Sequence, residues 1–158
     1  MDGNLRPIAT VDFKQMIAEI IHIRYQHFFA VFEAMIAEIE QKFDSPGVEI
    51  ILTQAETIQS ETKQIFYKEK LILFPFLEKS YTEDDRAELP LSVSQIKNQT
   101  AEAYTKMNQL IKDSKKLDEK KYAVMEKHLN ELCGVWKAIS NKKDELYEWF
   151  LLKKNTGR

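Results

Sequence analysis

Long stretches of this chain carry nothing that breaks a helix. No Gly or Pro falls between Pro7 and Pro46, between Gly47 and Pro75, or between Pro90 and Gly134, and the whole sequence of 158 residues holds four of each. Gly3 and Gly157 sit at the ends and interrupt nothing. A sandwich or barrel needs a turn signal every ~8–12 residues, and this chain cannot supply them. A fold alternating strands with helices needs many short loops and does not fit for the same reason. With 44% hydrophobic residues, the sequence can build a core and is neither collagen-like nor disordered. Its length is that of one domain, so 1–158 reads as a single unit.

Four segments with helical periodicity lie between the breakers, at about 10–43, 48–79, 92–114 and 118–153. The first places Phe13, Met16, Ile17, Ile20, Ile23, Val31, Met35 and Ile39 at helical spacing, with Phe28, Phe29 and Phe32 widening the stripe and Thr10 or Asp12 as the cap. Asp44, Ser45, Pro46 and Gly47 close it, Ser before Pro being a good start for the next helix. There the stripe runs Ile51, Ala55, Ile58, Thr62, Ile65, Glu69, Ile72, Phe76 in steps of four and three. Pro75 is expected to kink or end that helix, and a loop with Thr82, Glu83, Asp84 and Asp85 runs to Pro90.

Ser92 with Gln95 forms a capping box for the third helix, whose stripe is Ile96, Thr100, Ala103, Met107, Leu110. After a turn at Lys115, Lys116 and Leu117, Asp118 caps the fourth. Its stripe is Met125, Leu129, Leu132, Trp136, Ile139, Lys143, Leu146, Phe150. Gly134 inside it costs about 1 kcal/mol relative to Ala, which implies a bulky neighbour packed there or a bend. Helices of ~25–34 residues are ~40–50 Å long, and short connections make neighbours antiparallel. The expected fold class is all-α, an antiparallel up-down-up-down four-helix bundle. A pair of long hairpins that dimerises is the competing architecture.

Composition narrows the function classes. With 23 basic and 25 acidic residues the net charge is −2, no field for nucleic acid or anionic membranes. A single cysteine, Cys133, excludes an internal disulfide and a Cys-based zinc site. With no local base or electropositive setting it reads as a buried, inert thiol. The start MDGNLRPIATVDF has no apolar run of signal-peptide type, and no stretch approaches ~20 apolar residues. The expectation is a cytoplasmic protein without a membrane partner. No Gly-rich phosphate loop, Ser-His-Asp ordering or HExxH motif is present, and the Lys-rich stretches 112–121 and 153–154 read as solvated helix ends.

One segment carries more. The run Lys68-Glu69-Lys70-Leu71-Ile72-Leu73-Phe74-Pro75-Phe76-Leu77-Glu78 resembles the H-x-x-K-E-E-x-x-L-F-P segment of hemerythrin-like domains, in the form closest to the di-iron proteins associated with repair of iron centres under nitrosative stress. Ile20-Ile21-His22-Ile23-Arg24-Tyr25-Gln26-His27 is similar to that family's I-I-x-x-H-H entry. The order of parts agrees over about residues 11–152, although the specific part is the dozen residues around Phe74 and Pro75. The resemblance implies a hemerythrin-like bundle whose inward faces hold two irons with imidazoles and bridging carboxylates.

Most of that ligand set is absent. Glu69 matches the bridging Glu, but the His expected four residues earlier is Ile65. The expected pair in the first helix falls on Arg24 and Tyr25, and His22 or His27 substitutes only with a shift of register. In the third helix the position falls near Thr100, with Asn98 close by. In the fourth it falls on Ala138 or Asn141, with Glu145 the nearest carboxylate, and the second L-F-P-like element is degraded to Leu146-Tyr147-Glu148 or Trp149-Phe150-Leu151.

Glu69 is the oddest residue, a carboxylate on an apolar stripe, costly unless paired or protonated. It reads either as a residual metal ligand, with His27 beside it, or as one half of a core charge pair with Arg24 or Lys143. An Arg24–Glu69 pair keeps the centre polar without iron. His27 otherwise reads as a core-edge residue, and His22 and His128 as boundary or surface residues. The aromatics read as core, as the lining of a ligand cavity, or as a patch for a partner. Trp149, Phe150, Leu151 and Leu152 are apolar nearly all round the helix, so Trp149, Phe150 and Leu152 are candidates for an interface with a protein partner or a second copy. The leading expectation is a non-enzymatic bundle without the di-iron cofactor that binds a partner or small ligand. The alternative is an atypical iron-binding protein of iron or nitrosative-stress response around Glu69 and His27.

Overall fold

A computed structural model describes residues 8–43, 46–83 and 91–156, and within them the chain is all-helical, without strands. Four rods account for it. The first is α1 (Thr10–Ile23), a five-residue π-helical turn (Arg24–Phe28) and α2 (Phe29–Lys42). The second is α3 (Pro46–Lys68), a second π turn (Glu69–Leu73) and α4 (Phe74–Glu83). The third is α5 (Leu91–Ser114) and the fourth α6 (Glu119–Thr156).

Local chemistry explains the ends. Neither Thr10 nor Asp12 caps α1. Ala9 stands at the cap position without a side-chain bond, and its carbonyl accepts the N–H groups of Asp12 and Phe13 at 3.0 and 3.1 Å. Asp12 thus lies inside the first turn, where its charge suits the helix dipole. At α6 the Asp118 carboxylate does cap, accepting the Lys121 N–H at 3.0 Å. Asp44, Ser45, Asp84, Asp85, Pro90 and the Ser92 side chain lie outside the described residues.

The two π turns correct the simple 3.6-residue reading. The N–H of Phe29 donates to the carbonyl of Arg24, and that of Phe74 to the carbonyl of Glu69, each across five residues. The extra residue rotates everything beyond it. Leu73, Phe74, Leu77 and Tyr81 are buried, whereas Ile72 is 48% exposed and Phe76 only partly buried. Pro75 does not end its helix, which continues to Glu83 through Thr82. It sits two residues beyond the widened turn, where its missing N–H and ring are accommodated.

The core is continuous across all four rods. It draws on Phe13, Ile17 and Ile20 from α1, Ile51, Ala55 and Ile58 from α3, Ala103, Met107 and Leu110 from α5, and Leu129, Leu132 and Leu146 from α6. Phe28 is its aromatic hub, with ring centroids of Phe29, Phe32, Phe66 and Trp136 between 5.3 and 5.7 Å away, spacings at which tilted rings attract. α1 and α2 both pack on α6, α2 packs on α3, and α1 meets α4. α5 lies mainly on α3 and meets α6 over a short stretch. Gly134 has neither a packed neighbour nor a steric demand, since an added Cβ there meets nothing within 4 Å.

Candidate functional site

Following the apolar stripes inward leads to three charged side chains. Arg24 opens the first π turn and Glu69 the second. Both are buried, and Arg24 Nη2 lies 2.6 Å from Glu69 Oε1. From α6, Lys143 Nζ reaches Glu69 Oε2 at 2.7 Å, with its side chain 12% exposed. One carboxylate therefore faces two cations, one on each oxygen. The Arg24 guanidinium also lies over the Phe66 ring, 4.0 Å from its centroid, and 5.4 Å from that of Phe74. These aromatic faces give a desolvated cation partial compensation.

The cluster is held by charge more than by aligned hydrogen bonds. Nε and Nη1 of Arg24 have no hydrogen-bond partner among the described residues, and the short contacts to Glu69 fall outside good hydrogen-bond geometry. Tyr147, one turn beyond Lys143 on the same face of α6, buries its hydroxyl with no hydrogen-bond partner among the described residues. Burial pushes the Tyr147 phenol well above its ordinary range, with the Glu69 charge adding to the shift. Burial likewise pushes the Lys143 ammonium down, opposed by Glu69 and reinforced by Arg24. Arg24 is pushed down by the same desolvation and held up by Glu69. These are the directions expected where charges leave water for a low-dielectric interior.

The donor set does not suit iron. Both Glu69 oxygens already meet cations, and a metal dication there would face two like charges. The structure does not bring His27 to Glu69. His27 is exposed at the surface, with Nε2 3.5 Å from Glu131, because the π turn that carries it turns Arg24 and Phe28 inward instead. His22 is exposed as well. His128 is buried, which corrects its reading as a boundary or surface residue, and its Nε2 meets Glu38 Oε2 at 3.1 Å. Among the described residues no three His, Cys, Asp or Glu side chains form a group that could hold a metal ion.

The interface candidates divide. Phe150 is buried in the core and pairs with Phe76 at 6.4 Å between centroids. Trp149 is partly buried against the same core and Leu152 is half-buried, while Leu151 is 49% exposed. Phe150 is therefore withdrawn from any outer surface, because its position on the stripe of α6 points it at α4. Cys133 is half-buried rather than the buried thiol its apolar neighbours suggest, and burial pushes its thiol up, which disfavours the thiolate. No described helix is long and apolar enough to cross a membrane.

Tyr147 and the two π turns were not legible in the sequence. The first had a signal, its spacing of four from Lys143. Of the two π turns, only Glu69–Leu73 had a mark, a proline two residues beyond its end. No family model, curated protein or solved structure matches the chain.

Proposed function

We propose that this chain is an antiparallel, up-down-up-down four-helix bundle of the hemerythrin-like kind that works without the di-iron centre, as a non-enzymatic cytoplasmic protein that binds a small ligand or partner. Support for the topology comes from the order of contacts. α2 runs beside α3 and α1 beside α4, as rods folded back on each other do. The observation that carries the metal-free reading is the Glu69 carboxylate, met by Arg24 and Lys143 at 2.6 and 2.7 Å. Glu69 is where the resemblance puts a ligand that bridges metals, and here two cations meet its oxygens instead. A fixed, buried charge cluster keeps the centre of the helices polar and in register without a metal.

The test is direct. The protein is purified without chelator and given ferrous iron under anaerobic conditions, and bound metal and the visible spectrum are measured. The expected result is no stoichiometric iron and no oxo-bridge absorption. About two irons per chain, as the hemerythrin-like centre holds, would overturn the reading.

A further inference from the structure

One of the three charges in the buried cluster can be reached. Arg24 and Glu69 are 1% and 0% exposed, whereas Lys143 is 12% exposed. Because α5 leans on α3 and meets α6 only over a short stretch, a cavity of about 520 Å³ lies between α5 and α6, and Lys143 lines it while Arg24 and Glu69 do not. That volume is within the range of small-molecule sites. Lys97 stands on the opposite wall, its Nζ 4.5 Å from the centroid of the Tyr147 ring. Asp144 and Glu148 also line the cavity, so its two lysines and two acids cancel. No charged substituent on a ligand is favoured there.

The setting of Lys143 suits a nucleophile. Its Nζ lies 2.7 Å from Glu69 Oε2, and the other oxygen of that carboxylate already meets Arg24. Burial disfavours the ammonium form, and the Arg24 charge acts in the same direction. An amine desolvated beside a second cation attacks carbonyl carbon at neutral pH, where an exposed lysine is held protonated.

Resting on the reading of this chain as a metal-free protein that binds a small ligand, we propose that Lys143 is a covalent binding site for a small uncharged aldehyde, taken up from the α5–α6 cavity as a reversible imine. Glu69 accepts a proton from the ammonium across 2.7 Å. The freed lone pair forms a C–N bond to the carbonyl carbon, the C=O π pair moves to oxygen, and the proton on Glu69 passes to that oxygen to give a carbinolamine. A second proton relayed from nitrogen to oxygen through Glu69 lets the C–O bond break, and the oxygen leaves as water. One ammonium and one aldehyde thus give one protonated imine and one water. Nothing is oxidised or reduced, and no net proton is gained or lost. The adduct keeps its positive charge, so Glu69 still meets a cation on each oxygen and the cluster is not left with a lone buried charge.

The probe is glycolaldehyde with cyanoborohydride, which reduces the imine to a stable amine. Both are given to the full-length protein at neutral pH, and the modified lysines are mapped by peptide mass spectrometry over time. Lys143 is expected to react about tenfold faster than Lys97, an exposed amine on the wall of the same cavity. In urea the two react alike, because only the folded chain desolvates Lys143. Glyoxylate, an anion, shows a smaller preference for Lys143 over Lys97 than glycolaldehyde does. Arg24→Met removes the second cation, and in a variant whose fold circular dichroism verifies it slows Lys143 severalfold and leaves Lys97 unchanged. Lys143 reacting no faster than Lys97 in the folded wild-type protein, a preference that persists in urea, or an equal preference with glyoxylate would each overturn the proposal. Iron loading on the same preparation tests the metal-free reading separately. About two irons per chain refutes that reading whatever the adduct, whereas no iron and no preferred adduct at Lys143 refutes the aldehyde site alone.

Discussion

Arg24 and Glu69 meet at 2.6 Å, and each is the first residue of a π turn in its own rod. The two irregularities are thus face to face across the core. A π turn widens the helix by one residue and re-aims what lies beyond it, so a long charged side chain enters the interior from each rod while the apolar stripe resumes afterwards in a new register. Lys143 completes the cluster from an unbroken helix. Such turns are common where a side chain must be set for function. Here they set an ion cluster where the family-like pattern has ligands.

Replacing Glu69 with Gln tests the cluster. The variant keeps the shape but leaves Arg24 and Lys143 buried without their anion, which costs about 3–5 kcal/mol. For a chain of this size that is a fall in Tm of roughly 6–20 °C, read by thermal denaturation. An unchanged Tm would show that the carboxylate is not the counter-charge of a desolvated pair. Replacing all three residues together (Arg24→Met, Glu69→Leu and Lys143→Met) is expected to be neutral or stabilising, since no charge is then left alone.

The register after the second π turn is tested by neighbours. Ile72 is 48% exposed and Leu73 fully buried. Ile72→Ser is expected to change stability by no more than about 0.5 kcal/mol, and Leu73→Ala to cost about 2–5 kcal/mol, both from urea unfolding. The reverse ranking would restore the uninterrupted stripe.

That pair also marks how far the sequence could be read. Four helices followed from the missing breakers, and Arg24, Glu69 and Lys143 stood out as charges on apolar stripes. Beyond Glu69, however, a period of 3.6 carried through Ile72 to Phe76 named the wrong face, because one inserted residue leaves no mark in a pattern of hydrophobic residues. Pro75 was visible, but its usual meaning is a break, and only the wide turn before it makes the helix continuous. His128 gave no signal either, since its contact with Glu38 joins two rods whose relative placement periodicity does not encode. The cleft between α5 and α6 depends on how two rods are spaced, which periodicity within each does not encode.

Gly134 lies within α6, where an added Cβ meets nothing within 4 Å. Gly134→Ala removes backbone freedom from the unfolded chain without a clash, and a gain of about 0.5–1 kcal/mol is expected, or a rise in Tm of roughly 1–4 °C. A loss of stability would mean that the helix needs glycine there, for a bend or a close approach.

Tyr147 provides the pH test. Its hydroxyl is buried with no hydrogen-bond partner among the described residues, a net cost to the folded state, so Tyr147→Phe is expected to stabilise the protein by about 1 kcal/mol at neutral pH. Burial, with the Glu69 charge, raises the folded phenol above its ordinary value of 10.0. The unfolded chain therefore gives up this proton first, and ∂ΔG/∂pH from this group is negative above about pH 10. Its contribution is fully present below the unfolded value and is lost as pH rises toward the folded one. Lys143, lowered in the fold, acts in the opposite sense below 10.5 but is common to both proteins and cancels in their difference. Urea unfolding of the two proteins between pH 8 and 11 is therefore expected to show a Tyr147→Phe advantage that is flat to about pH 10 and then widens. A constant difference across that range would mean that the phenol titrates normally and is open to water.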